Sequence, residues 1–436
     1  MIRIDISNLC KLKTDALTNK ELFTKPSNIK KLLEKVKARK QGFYSVIEEK
    51  ETLKKILSYA KTHSGKYKNI TVLGIGGSAL GTICLHRSLQ HLFYNELPRQ
   101  NNLPAFHVLD NIDPALISNF EDLIDLRTTL FIVVTKSGST PETLAQYFHF
   151  AEKIHKHKLN PAQHCIFIIG TNTNKLQEIA QKNKIQIFEI PKNVGGRFSV
   201  LTAVGLLPAA LTGIKVKELL KGAQDMKKSF FSLKNKSNLP YLIARIQYLL
   251  LKKGKTINVL MPYSQKLNSF SDWYRQLLAE SIGKKGLGIT PVNALGATDQ
   301  HSQNQLYNEG PNDKLFMFIK VAKPQPDLTI CDSNHEQDPA YFNGLTFGKL
   351  LETEMQGTIQ ALTANNRPNI TIEITKVDEY NLGQLFMLFE SATAFLGEML
   401  GINAYNQPGV ERSKQITKEL LTNNNGKKHF TSIRRT

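Results

Sequence analysis

Cysteine is scarce in this chain. Cys10, Cys84, Cys165 and Cys331 are its only four among 436 residues, and no two stand at metal-ligand spacing. No zinc site and no disulfide framework is expected, and such thiols suit a reducing compartment, here the cytoplasm. Cys165 opens the apolar run CIFIIG and reads as a core residue. Long hydrophobic runs are also missing. The longest, about residues 200–214, is too short to cross a bilayer and is interrupted by Pro208, so it reads as a buried helix. The start, MIRIDISNLC, has no cationic stretch leading into an apolar core, so no secretory signal is expected. No short tandem repeat and no low-complexity segment is visible. Acidic residues are in deficit, 37 against 57 Lys and Arg, which leaves a formal charge of +20. A field of that sign attracts anions. The lysines are scattered, however, and the densest basic cluster is the tail KKHFTSIRRT. Without a basic reading helix or an aromatic-interleaved RNA motif, neither nucleic acid nor membrane is expected as a partner.

What is present is a globular composition, 41% hydrophobic and 22% charged, over a length that allows two or three domains. The first forty or so residues read as an arm, followed by a helix over residues 46–63 with Leu53, Ile56, Leu57 and Ala60 on one face and Gly65 after it. Strand-like runs then alternate with segments of helical length: ITVLGI, FHVLD, LFIVVT, CIFIIG and IQIFEI. A second series follows a helical stretch, with TINVLMP, LGITP, LFMFIKV and NITIEI. Near-continuous apolar strands of this kind indicate parallel sheets covered on both faces. The fold class is therefore α/β, with two doubly wound parallel-sheet units. The expected division is 1–65 arm and helix, 66–200 first unit, 201–250 helical connection, 251–402 second unit and 403–436 C-terminal segment.

Two strand-to-helix loops carry chemistry. The first is GIGGSALG, residues 74–81. It lacks the Gly-Lys-Ser/Thr of a P-loop, which excludes that mode of ATP binding. Gly74 to Ala79 fits the G-x-G-x-x-A of a dinucleotide loop, and Asp110 ends the next strand, so a nicotinamide oxidoreductase is one reading. Ser78 supports another, in which a hydroxyl joins the free N–H groups of a helix start to hold a compact anion. The second loop, TKSGSTPET at residues 135–143, offers the hydroxyls of Thr135, Ser137 and Thr140 beside Lys136. Pro141 suits the first helical turn and Thr140 the N-cap. Two such loops in successive positions can converge on one phosphate monoester.

With GIGGSALG and TKSGSTPET in that order, the chain resembles the sugar-phosphate-binding SIS fold. Downstream, VGGRFSVLTAVGLLP, LLAESIGKKG, GATDQHSQNQLYNEGP and QPGVERSK resemble the glucose-6-phosphate isomerase family in its shorter bacterial form. The resemblance implies conversion of glucose 6-phosphate to fructose 6-phosphate with no metal and no organic cofactor. It assigns Glu280 the proton transfer between C1 and C2, Arg197 the stabilisation of an enediolate, and His301 and Lys414 the opening of the sugar ring. It places Gly76, Gly77 and Gly196 around the sugar, Ser78 at the phosphate region, Thr135, Lys136, Ser137 and Thr140 on the phosphate, and Gln407 close to it. His301 would come from the neighbouring subunit of a homodimer. Each residue also has an ordinary explanation: Glu280 as a surface carboxylate beside Lys284 and Lys285, Arg197 as a loop arginine, Lys414 as part of a solvated helix. An isomerase that also accepts mannose 6-phosphate, or a sugar-phosphate sensor without catalysis, would share the phosphate loops. The simultaneous presence of Glu280, Arg197 and His301 speaks against the sensor.

Overall fold

The computed structural model describes residues 2–23, 25–98, 103–172, 174–330 and 342–422. Cys331 and the basic tail lie outside them. The strands among the described residues are β1 (Arg3–Asp5), β2 (Asn69–Leu73), β3 (Ala105–Leu109), β4 (Thr129–Thr135), β5 (Cys165–Gly170), β6 (Gln186–Ile190), β7 (Ile257–Pro262), β8 (Thr290–Asn293), β9 (Lys314–Val321) and β10 (Asn369–Ile374). They form two five-stranded sheets, ordered β3-β2-β4-β5-β6 and β8-β7-β9-β10-β1. The first is parallel throughout. β2, β4 and β5 are buried along their whole length, which accounts for their unbroken apolar sequences.

The second sheet departs from the expected architecture at its edge. β1, from the N-terminal arm, pairs antiparallel with β10, Ile4 opposite Ile372. The arm thus completes the distant sheet. A three-residue strand with one apolar side chain has too little periodicity to announce itself, and its partner lies at the other end of the chain. The LGITP run also shifts, because Leu287 closes a tight turn with Lys284 and the strand begins only at Thr290. The expected helix over 46–63 is a short 3-10 turn, Val46–Glu48, followed by the helix Lys50–His63.

Among the parallel strands of each sheet the chain starts at an inner strand, steps outward, then returns to the other side of that strand. For the first sheet this puts the β2 and β4 ends side by side, with Leu73 opposite Val133. The loops that follow them therefore open onto one crevice, the place where doubly wound sheets bind ligands.

Helices between the two sheets provide the common core. The helix Glu379–Leu400 is buried on every side from Asn381 to Glu398, as expected of a helix without a polar face. Its backbone touches that of the Val216–Phe230 helix. A Cβ on Gly383 would stand 1.9 Å from the Leu219 carbonyl oxygen, and one on Gly222 1.9 Å from that of Tyr380. The buried helix expected around residues 200–214 is Ala203–Leu211, and it holds Pro208 in its interior. The missing N–H would orphan the Val204 carbonyl, and the Thr82 hydroxyl donates to it at 2.9 Å. No helix among the described residues is long and apolar enough to cross a membrane.

Glu390 sits in the middle of the Glu379–Leu400 helix. Neither of its carboxyl oxygens has a hydrogen-bond partner among the described residues, and burial raises its pKa well above the usual carboxylate range. A carboxylic acid whose folded pKa exceeds its unfolded one supports the fold fully at low pH and loses that contribution as pH rises. Thermal unfolding at pH 5 and pH 8 should therefore show Glu390→Gln gaining stability relative to the native chain at the higher pH. An unchanged difference between the two pH values would mean that Glu390 is not held protonated.

Candidate active site

The glycine loop leaves β2 in extended conformation at Ile75 and turns once through Gly76–Ser78 before the helix Leu80–Leu89. A Cβ on Gly77 would stand 2.3 Å from the carbonyl carbon of Gly196. Only glycine lets this loop lie backbone to backbone on the turn that carries Arg197. Beside Gly196 the space is open, since a Cβ there would meet nothing within 4 Å.

The second loop gathers its hydroxyls. Thr135 Oγ1 lies 2.8 Å from Thr140 Oγ1 and 3.4 Å from Ser137 Oγ, and Ser137 Oγ lies 3.3 Å from Thr140 Oγ1. Thr140 occupies the N-cap position of Pro141–Lys156, but its side chain makes no cap bond. The hydroxyl faces its neighbours instead. First-turn N–H groups and the positive end of the helix are thereby left for an anion. Lys136 Nζ donates to the Lys192 carbonyl at 3.0 Å. Burial lowers its pKa, and the charge of Arg197 adds to the effect, so the two cations share a field.

Arg197 is almost wholly buried, with 2% of its side chain exposed. Its guanidinium makes four hydrogen bonds and one ion pair. Nε donates to Ser281 Oγ at 2.7 Å, and Nη2 to the carbonyls of Ala404 at 2.6 Å and Asn406 at 3.1 Å. Nη1 donates to Gln407 Oε1 at 3.1 Å and lies 3.4 Å from Glu280 Oε1. The other carboxylate oxygen, Glu280 Oε2, accepts from Gln276 Nε2 at 3.1 Å. Burial lowers the arginine's pKa and the Glu280 charge opposes that shift. The result is a carboxylate that accepts one hydrogen bond from Gln276 and pairs with a fixed guanidinium. Such a site can take a proton from a carbon acid and stabilise the anion that forms.

A family model described as phosphoglucose isomerase matches residues 27–434. The chain belongs to the phosphoglucose isomerase family. It is an enzyme of the isomerase class. A glucose-6-phosphate isomerase from Carboxydothermus hydrogenoformans is 42% identical over 415 residues, covering 92% of this chain and 89% of that protein. One from Methanocaldococcus jannaschii is 36% identical and covers 97% of this chain and all of its own length. Among solved structures, a hypothetical protein from Thermus thermophilus matches with a TM-score of 0.87 at 30% identity, covering 97% of this chain and 100% of its own. A glucose-6-phosphate isomerase from Chlamydia trachomatis shares the fold, with a TM-score of 0.74 at 23% identity over 86% of this chain and 73% of its own.

Of the residues the family resemblance singles out, the single chain joins Arg197, Glu280 and Gln407 directly. His301 ends the 3-10 turn Thr298–Gln300 and is exposed. Lys414 lies on the exposed helix Pro408–Thr422, where its ammonium is 3.3 Å from Glu411 Oε1. Neither makes a described contact with Glu280 or Arg197. Gln276 and Ser281 escaped the sequence reading. Gln276 stands one helical turn before Glu280, a spacing that puts two side chains on one face and was available as a signal. Ser281 had none.

The Gly77 contact makes a direct prediction. In Gly77→Ala either the glycine loop or the Arg197 turn must retreat, at a cost of about 1–3 kcal/mol by analogy with other overpacked sites. The urea midpoint of unfolding should fall accordingly; a midpoint equal to that of the native chain would show that the two turns are not in contact.

Proposed function

We propose that the chain interconverts glucose 6-phosphate and fructose 6-phosphate through ring opening and a cis-enediolate, as a step of glycolysis and gluconeogenesis in the cytoplasm. The pairing of Glu280 with a buried Arg197 that donates four hydrogen bonds supports this most. The substrate phosphate sits on Thr135, Ser137, Thr140 and Lys136, with Ser78 near it and the glycine loop along the sugar. Fixing this remote group orients the reacting carbons. Glu280 takes the proton from C2 of the open aldose and returns it at C1. Negative charge grows on the adjacent oxygens as the proton leaves. Arg197, already desolvated, stabilises that charge without reorganising.

Ring opening falls to His301 and Lys414. His301 would be supplied by a second copy of the chain in a homodimer, which accounts for its separation from Glu280 within one chain. Lys414 would act from the helix that follows Gln407. The five-part division into arm, first unit, helical connection, second unit and C-terminal segment then has a functional sense. The first unit holds the phosphate, and Glu280, from the second, performs the chemistry. The reaction as written requires no metal and no organic cofactor.

Purified protein supplied with fructose 6-phosphate in the presence of chelator should generate glucose 6-phosphate, detected with its dehydrogenase. Glu280→Gln should lower kcat by about 10²–10⁴-fold, the usual weight of a general base, while calorimetry still detects fructose 6-phosphate binding. Near-normal turnover would remove Glu280 from the mechanism. Arg197→Lys cannot reproduce the fork of bonds and should lower kcat by about 10²–10³-fold, as loss of an oxyanion donor does. A change confined to KM would make Arg197 a binding residue only.

A further inference from the structure

Lys284 and Lys285 are adjacent in sequence and differ in surroundings. Lys285 is exposed, whereas Lys284 is partly buried. The Lys284 ammonium donates to three backbone carbonyls: Ser281 at 2.6 Å, Asn403 at 2.9 Å and Glu280 at 3.0 Å. Three donors meet three acceptors. Two of those carbonyls belong to the last turn of the Asn268–Ile282 helix, which has no helical N–H left to offer them. A cation at that end also suits the helix dipole. The third lies on the loop that follows the Glu379–Leu400 helix.

Arg197 spans the same two segments. Its Nε reaches Ser281 and its Nη2 the Ala404 and Asn406 carbonyls. The two cations therefore cross-brace the end of the helix that bears Glu280 and the loop 403–407. That loop carries Gln407 and runs directly into Pro408–Thr422. The backbone of Lys284 is itself fixed. Lys284 and Leu287 exchange both N–H···O bonds, each 2.9 Å long. Between them Lys285 and Gly286 have φ of 56° and 72°, the signs of a tight hairpin turn with both central residues left-handed.

We propose that Lys284 is a positioning residue, whose ammonium clamps the Glu280-bearing helix end to the 403–407 loop and so sets the placement of Glu280 against Arg197. The inference rests on the isomerase reading above and assigns a role to a residue that reading does not use. The clamp has its full set of donors only while the lysine is charged. Burial first, and the Arg197 charge second, push its pKa down to about 8, with Glu280 pulling the other way. Above that pH a neutral amine has two N–H groups for three carbonyls. Arg197 stays charged throughout.

The test is a set of kcat and KM profiles from pH 6.5 to 9.5 for the native chain, Lys284→Met, Lys284→Arg and Lys285→Asn. Lys284→Met should lower kcat at pH 7 by about 10²-fold, the scale of a 1 Å misplacement, with KM changed far less. The native kcat should decline above pH 8, and this decline should be absent from both Lys284 variants. The arginine variant carries this test if the methionine variant does not fold, because its charge is permanent. Lys285→Asn tolerates the left-handed turn and removes the same formal charge; it should keep native kcat at pH 7. A Lys284→Met enzyme with native kcat, or an alkaline decline that survives in Lys284→Arg, overturns the clamp. An inactive native enzyme overturns the isomerase reading instead, which keeps the two failures apart.

Discussion

A guanidinium taken out of water requires all of its N–H groups to be met. At Arg197 the acceptors come from Ser281, Ala404, Asn406 and Gln407, and Glu280 adds an ion pair. Those residues belong to a helix end in the second α/β unit and to a loop far along the chain. Leaving any one of these bonds unmade costs the desolvation of a buried charged group. The arginine therefore fixes the mutual placement of three segments that share no local sequence. The Glu280 carboxylate lies at one corner of that network.

The rest of the architecture delivers those segments. The strand order of the first sheet opens a crevice between β2 and β4, and the loops leaving those strands supply glycine backbone and hydroxyls. The Gly77–Gly196 contact then joins the first loop to the Arg197 turn. Central helices touching through Gly222 and Gly383 hold the two sheets against one body. Three cations, Lys136, Arg197 and Lys284, share this region with one carboxylate. The net positive field is of the sign that attracts anions. It is a local consequence of burial and geometry, separate from the scattered surface lysines that make the chain basic overall.

Much of this was legible in the sequence because it depends on local order. Apart from β1 and the start of β8, the strands followed from apolar runs, most plainly β2, β4 and β5, since a strand buried on both faces has no polar side to write into the pattern. The glycine and hydroxyl loops followed from their place after a strand and before a helix. Glu280 and Arg197 were recognisable only through family motifs; on spacing alone they were an ordinary surface carboxylate and an ordinary loop arginine.

What the sequence determined by itself was the alternation of elements, the two strand-to-helix loops and the family. The tertiary structure alone decided which residues meet. β1 is too short to be seen without β10 beside it. Pro208 remains within a helix because Thr82, distant in sequence, supplies the bond its ring cannot. Lys284 had no role in the sequence until a tight turn aimed it at three carbonyls from two segments. The reason is the same in each case. A backbone carbonyl has no sequence signature, so a side chain whose partners are carbonyls shows its role only when the chain has folded around it.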